Sequence, residues 1–164
     1  MATLSSETES PPLSFTALDV ARGVSRLLLR HDLTAICEVP LGNGRRADLM
    51  AVDSRGHIVI VEIKVSRADL LGDAKWRDYL QHCDRFYWAV PAGFDCTPFD
   101  WPDMLPERAG LIVADRYDAA ILRDAACHPL SAASRKRETL AFARRAARRL
   151  LYTIDPEAAV LPLD

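Results

Sequence analysis

The sequence predicts an α/β domain: a mixed central β-sheet with helices on both faces. Three observations carry this. Ala47–Val52 and Ile58–Val65 are apolar runs around Asp53-Ser54-Arg55-Gly56, a turn signal with glycine where a positive φ is needed. Both faces of that hairpin are apolar: Met50, Val52, Ile58 and Ile60 on one, Leu49, Val59, Val61, Ile63 and Val65 on the other. A strand pair covered on both sides belongs in the middle of a sheet. Arg85–Val90 is a further interior strand, parallel to Ile58–Val65 if the helix between them crosses over.

The hairpin register follows from the loop. With Ser54, Arg55 and Gly56 as a three-residue turn, Asp53 faces His57 and Asp48 faces Glu62. The Cβ atoms of such a facing pair stand about 4.5–5.5 Å apart. Lys64 shares their face, one step further along the strand. Two carboxylates and an amine on an otherwise apolar surface cost free energy unless they are paired or bind an ion. Two readings stay open from the residues alone. One is a semi-buried ion pair with a spare acid; the other is a site for a hard divalent cation with a basic group beside it.

Asp48, followed after a hairpin by Glu62-Ile63-Lys64, resembles the PD-(D/E)XK nuclease superfamily, with Ala47 where that superfamily usually has proline. The longer stretch from Glu38 to Pro91 resembles the MmcB family of bacterial DNA repair proteins within it. Its carriers are Gly44–Leu49, Val61–Leu70, Asp73–Trp76, Tyr79 and Cys83–Val90. The resemblance implies a restriction-endonuclease-like fold and phosphodiester hydrolysis. Asp48, Glu62 and the carbonyl of Ile63 would then bind Mg²⁺ or Mn²⁺. Lys64, its pKa lowered by burial, would orient or deprotonate water or neutralise developing charge. Glu38 is either a third metal acid, a rim carboxylate or a partner for Arg46. Lys75 and Tyr79 are four apart on one expected helix, a spacing similar to the Q-x-x-x-Y element of some of these nucleases, with Lys75 replacing glutamine. There they could hold a phosphate, or Tyr79 could pack while Lys75 is solvated.

The remaining elements follow in order. Phe15–Arg30 reads as a helix capped by Ser14 or Thr16, with Leu18, Ala21, Val24 and Leu28 at helical spacing. Leu33–Val39 is a short strand. Ser66 caps a helix that restarts at Gly72-Asp73 and runs to about Cys83. Pro91–Glu107 is a proline-punctuated loop at the rim of the groove, and Leu111–Ala114 with Ala119–Leu122 forms an edge hairpin. Ser131 caps a final helix with a narrow apolar stripe of Leu140, Ala143, Ala147 and Leu150 on a surface otherwise of arginine.

Charge is unevenly spread. The net charge is −2, yet residues 131–152 carry seven basic side chains against Glu138 alone, a local charge of +6. The rest of the chain therefore holds −8. A basic helix on an acidic body is a nucleic-acid footprint, and Arg144, Arg145, Arg148 and Arg149 are candidate contacts to DNA. Packing of the same helix on the sheet is the alternative.

Residues 1–12 are expected to be a disordered tail, 13–154 one domain that includes the basic helix 131–152, and 155–164 a second tail. No stretch is long and apolar enough to span a bilayer, and the acidic N-terminus is unlike a secretory signal, so a cytoplasmic location is expected. Cys37, Cys83, Cys96 and Cys127 lack metal-ligand spacing and are expected to be buried thiols. The histidines do not cluster, and no phosphate-binding glycine loop occurs. A metal-dependent nuclease acting on DNA in repair is expected, with a non-cleaving DNA-binding accessory as the alternative.

Overall fold

A computed structural model describes residues 14–160 of the chain. The tail expected over residues 1–12 lies outside the described residues, as do residues 161–164. The central hairpin forms in the expected register. β2 (Arg46–Asp53) and β3 (Ile58–Ile63) pair antiparallel through Leu49↔Val61, Met50↔Ile60, Ala51↔Val59 and Val52↔Ile58. Asp53 N–H donates to the His57 carbonyl at 3.1 Å, and Gly56 closes the turn at φ 82°.

β1 (Leu33–Pro40), β4 (Arg85–Pro91), β5 (Gly110–Ala114) and β6 (Ala119–Arg123) complete a six-stranded sheet in the order β1-β2-β3-β4-β5-β6. The β3–β4 and β4–β5 pairs are parallel and the others antiparallel. The sheet is therefore mixed, and β3 lies in its interior with every residue buried.

The two faces are covered differently. α1 (Ala17–Arg30) begins at a capping box between Thr16 and Asp19 and lays Val20, Ala21, Val24, Leu27 and Leu28 over Leu49, Ala51, Val59 and Val61. The absence of a side chain at Gly23 lets the β5–β6 turn come close: a Cβ there would meet the Asp115 carbonyl oxygen at 2.1 Å. On the other face Met50, Ile58 and Ile60 pack with Trp76, Phe86, Trp88 and Phe99. Ring centroids in that aromatic group stand 5.0–5.8 Å apart.

Three expectations fail on this second face. The segment after β3 is not one helix: α2 (Arg67–Gly72) ends, and the chain resumes as a 3-10 turn over Trp76–Gln81. The break is at Asp73, whose backbone is non-helical (φ −89°, ψ 71°) and whose carboxylate is bound to Lys64. A 3-10 turn has about three residues per turn, so Lys75 and Tyr79 do not share a flank. Lys75 is exposed and Tyr79 is buried. Residues 91–107 are no open rim either, because 3-10 turns at Thr97–Asp100 and Pro102–Met104 press Phe99 and Met104 into the core. Of the four cysteines only Cys83 is buried, and Cys127 is exposed.

The third failure is α3 (Ala132–Ile154), whose apolar stripe faces away from the sheet. Polar side chains anchor it instead. Buried Glu138 meets the buried His82 ring at 2.9 Å, and Phe142 adds a partly buried apolar contact. Arg135 forms a two-pronged pair with Asp84 at 2.6 and 2.7 Å and also donates to the Gly56 carbonyl. The Asp84 side chain is fully buried and accepts from the backbone N–H of Ile58 and of Leu130. One acid thus joins β3, the lead into α3 and α3 itself. A five-residue 3-10 turn, Pro156–Val160, follows α3 within the segment expected to be a tail.

Burial works against the charged form of Asp84, but Arg135 and the two backbone donors outweigh it and hold the acid below its ordinary range. Its stabilisation is present above the unfolded pKa and is lost as pH falls through the lower folded value. Asp84→Ala is expected to cost about 3–5 kcal/mol in urea unfolding at pH 7. The gap to wild type should narrow below about pH 4; a gap independent of pH would count against the pairing.

Candidate active site

The β2–β3 ladder stops at Leu49↔Val61, and beyond it side chains replace backbone carbonyls. Asp48 N–H donates to Glu62 Oε1 at 3.1 Å, and Ile63 N–H donates to Asp48 Oδ2 at 2.7 Å. Each carboxylate therefore caps a donor that the ladder has released. The neighbouring strand is distorted at the same level. Glu38 has φ 53°, the left-handed region, which costs a non-glycine residue about 1–2 kcal/mol. Around it Cys37↔Leu49 and Val39↔Ala47 remain paired, but the side-chain alternation resets. Cys37 and Leu49 lie with the α1 face, Val39 and Ala47 with the other. Backbone held in an unfavourable conformation beside a cluster of charges is a recurrent property of functional sites.

The electrostatics are equally unfavourable for a resting protein. Glu62 is 3% exposed, and burial together with the Asp48 charge pushes its carboxyl up to about 8. Burial also raises Asp48, against the opposing effects of the Ile63 N–H and Lys64. Lys64, also buried, gives its Nζ to Asp73 at 2.9 Å and lies 3.7 Å from Asp69. Burial alone would lower the amine. The hydrogen bond to Asp73 and the charges of Asp73, Asp69 and Glu62 outweigh it and raise the amine above its usual value. The expectation of a lowered lysine pKa is therefore corrected: Lys64 is held as a cation, suited to neutralising charge and unsuited to removing a proton.

Asp48, Glu62, Ile63 and Lys64 are brought together as expected. Glu38 instead pairs with Arg46 at 2.6 Å, one of the alternatives weighed for it. Among the described residues no three aspartate, glutamate, histidine or cysteine side chains converge as a ready metal shell. Tyr79 donates its hydroxyl to the Arg46 carbonyl at 3.1 Å and braces β2. Burial raises that phenol, and the Glu62 charge raises it further. Arg149 reaches the Glu38 carbonyl at 2.9 Å, while Arg144 is exposed and Arg145 and Arg148 are half-buried. Asp73 and Asp69 were missed as partners of Lys64. Asp69 reads from sequence only as part of the Ser66 cap, which it also serves through its N–H at 3.1 Å.

The donor set fits a small hard cation. Mg²⁺ is commonly held by one or two carboxylates, the rest of its shell being water and substrate phosphate. Asp48 and Glu62 supply two adjacent carboxylates whose mutual repulsion a divalent ion would relieve. Ile63, released from the ladder, is placed to add its carbonyl.

A family model described as DNA repair protein MmcB-like matches residues 6–157. The chain belongs to the MmcB-like family. Among solved structures, this MmcB-like chain is similar to the SPO1766 protein of unknown function from Silicibacter pomeroyi, at 43% identity and TM-score 0.74. That match covers 84% of this chain and 90% of the other. A repair endonuclease from Pyrococcus abyssi matches at 20% identity and TM-score 0.35, over 50% of this chain and 40% of its own. An overlap that slight bears on neither fold nor function. No curated protein sequence matches the chain. Among the described residues no helix is long and apolar enough to cross a membrane.

Because the folded Glu62 carboxyl titrates above its unfolded value, the metal-free protein loses stability as pH rises from about 4.5 towards about 8. Glu62→Gln removes the titration and keeps the acceptor for Asp48 N–H. In EDTA its stability advantage over wild type should grow between pH 5 and pH 8 by on the order of 2 kcal/mol, about 4–8 °C in Tm. An advantage that stays constant with pH would contradict the burial of an acid here. The Glu38 backbone gives a second measurement. Glu38→Val should be about 2 kcal/mol less stable than Glu38→Gly in urea, although valine is the better strand residue. The opposite order would mean that Glu38 is ordinary extended backbone.

Proposed function

We infer that this MmcB-like protein is a metal-dependent phosphodiesterase that acts on DNA during repair. The observation that carries the reading is the buried pair of Asp48 and Glu62, hydrogen-bonded across the parted ends of β2 and β3 with Lys64 beside them. Such a pair is costly in isolation and becomes favourable around a divalent cation. Asp48, Glu62 and the Ile63 carbonyl would hold Mg²⁺ or Mn²⁺, which when bound supplies Lewis-acid polarisation of a phosphate and a lowered pKa for water.

The reaction is hydrolysis: water oxygen bonds to phosphorus, the ester P–O bond breaks, and a phosphate monoester and a free hydroxyl result. Lys64 is the cation placed to meet charge that accumulates on the phosphate oxygens. Its ties to Asp73 and Asp69 keep it protonated and fix its reach. The exposed Lys75 and the Arg144–Arg149 cluster of α3 would contact the phosphate backbone and carry little sequence information. Tyr79 would act through β2 and the neighbourhood of Glu62. The same aspartate contacts favour a second reading, a DNA-binding accessory that does not cut, because they engage the lysine in the resting protein.

Cleavage of flapped, branched and nicked DNA with Mg²⁺ or Mn²⁺ tests the proposal. Wild type is expected to cut, and Lys64→Ala to cut at least ~100-fold more slowly while binding DNA equally. Calorimetric titration should show Mn²⁺ binding by wild type and none by Asp48→Ala. If wild type and Lys64→Ala are equally inert yet both bind DNA, the accessory reading holds. If wild type binds no Mn²⁺, the acids form a structural pair.

A further inference from the structure

The outward face of α3 has no role in the site and no cover in the fold. Leu140 is 55% exposed, Leu150 63%, Leu151 48% and Ile154 75%, on a helix whose opposite side is pinned by Arg135, Glu138 and Phe142. Large apolar side chains exposed in a contiguous row mark a contact surface. The spacing is regular. Leu140, Ala147 and Ile154 recur every seven residues, with Ala143 and Leu150 between them, the a/d pattern of a helix–helix seam. The row runs about 21 Å along the helix, enough for two heptads. Alanines at its centre allow a second helix to approach closely.

The flanks of the seam differ. By helical position Arg137, Arg144 and Arg148 border one side, while Thr139, Ala146 and Thr153 border the other. Arg135 and Arg149 are turned to the body, where they bond Asp84 and the Glu38 carbonyl. We propose that this face docks an amphipathic helix of a partner protein, with leucine or isoleucine along its seam and acidic residues along the edge that meets Arg137, Arg144 and Arg148. Charge decides between occupants. Two-fold antiparallel pairing of α3 with a second copy sets arginine flank against arginine flank, which like charge opposes. Nucleic acid would use the arginines but gains nothing from exposed leucines. An acidic amphipathic helix satisfies both parts of the surface and adds the steering expected of opposite charges.

The probes are two fluorescein-labelled amphipathic peptides with leucines in heptad register, one flanked by glutamate and the other by lysine. Anisotropy titration of the full chain at about 0.1 M salt should show the glutamate peptide binding at least ~10-fold more tightly than the lysine peptide. The double variant Leu140→Glu/Leu150→Glu, substituted on a solvent-facing row, should keep the wild-type melting temperature and weaken the glutamate peptide ~10-fold or more. Equal affinity for the two peptides, or equal affinity of the variant and wild type, overturns the proposal. So does light scattering that finds a wild-type dimer and a monomeric variant, because a second copy then covers the seam. Loss of duplex DNA binding in the variant, with no peptide bound by wild type, assigns the row to a nucleic-acid surface and also overturns it.

Discussion

A β-ladder that stops short leaves backbone N–H groups in need of acceptors, and here the acceptors are carboxylates. The bonds from Ile63 N–H to Asp48 and from Asp48 N–H to Glu62 are the constraint on which the site depends. They hold two acids together inside a sheet whose surroundings disfavour charge, and they keep β2 and β3 from closing over them. Glu38 answers on the other side of β2 with a left-handed backbone. Three adjacent strands are thus irregular at one level, and every irregularity is next to an ionisable group.

A second set of polar contacts supports that level from behind. Asp84 binds the start of β3 and, through Arg135, fixes the start of α3. Further along, Glu138 meets His82 and Arg149 meets the Glu38 carbonyl. α3 is therefore positioned chiefly by buried or half-buried charge, which specifies orientation more narrowly than an apolar stripe does. This explains how a helix with a clear apolar row can present that row to solvent: the polar side offers directional partners with no other way to be satisfied once buried.

Much of the architecture was legible because it depends on local chemistry. The Asp53–Gly56 turn determines its own register, and alternation along β2 and β3 then determines which residues share a face. The Thr16 cap and the parallel crossover follow from similarly short-range rules. What escaped reading depends on partners distant in sequence. Asp73 leaves the helical conformation with its carboxylate on Lys64, so the segment expected as one helix breaks and Lys75 separates from Tyr79. The direction of the Lys64 shift fails for the same reason, since composition shows that the lysine is buried but not which acids surround it. The orientation of α3 was misjudged because hydropathy periodicity cannot weigh a buried Glu138–His82 contact against four aliphatic side chains. The acids of the site were found from a hairpin and a spacing. The distortion at Glu38 has no sequence signature, because glutamate is not a residue chosen for a positive φ.

The Arg149–Glu38 contact joins the last turns of the C-terminal helix to the distorted strand beside the acids. Shortening the protein from its C-terminal end would thus remove more than a basic surface: it would leave a main-chain oxygen of β1 uncapped next to the strained residue. Any fragment used to represent the catalytic core has to retain that guanidinium, or what it reports will concern a loosened strand.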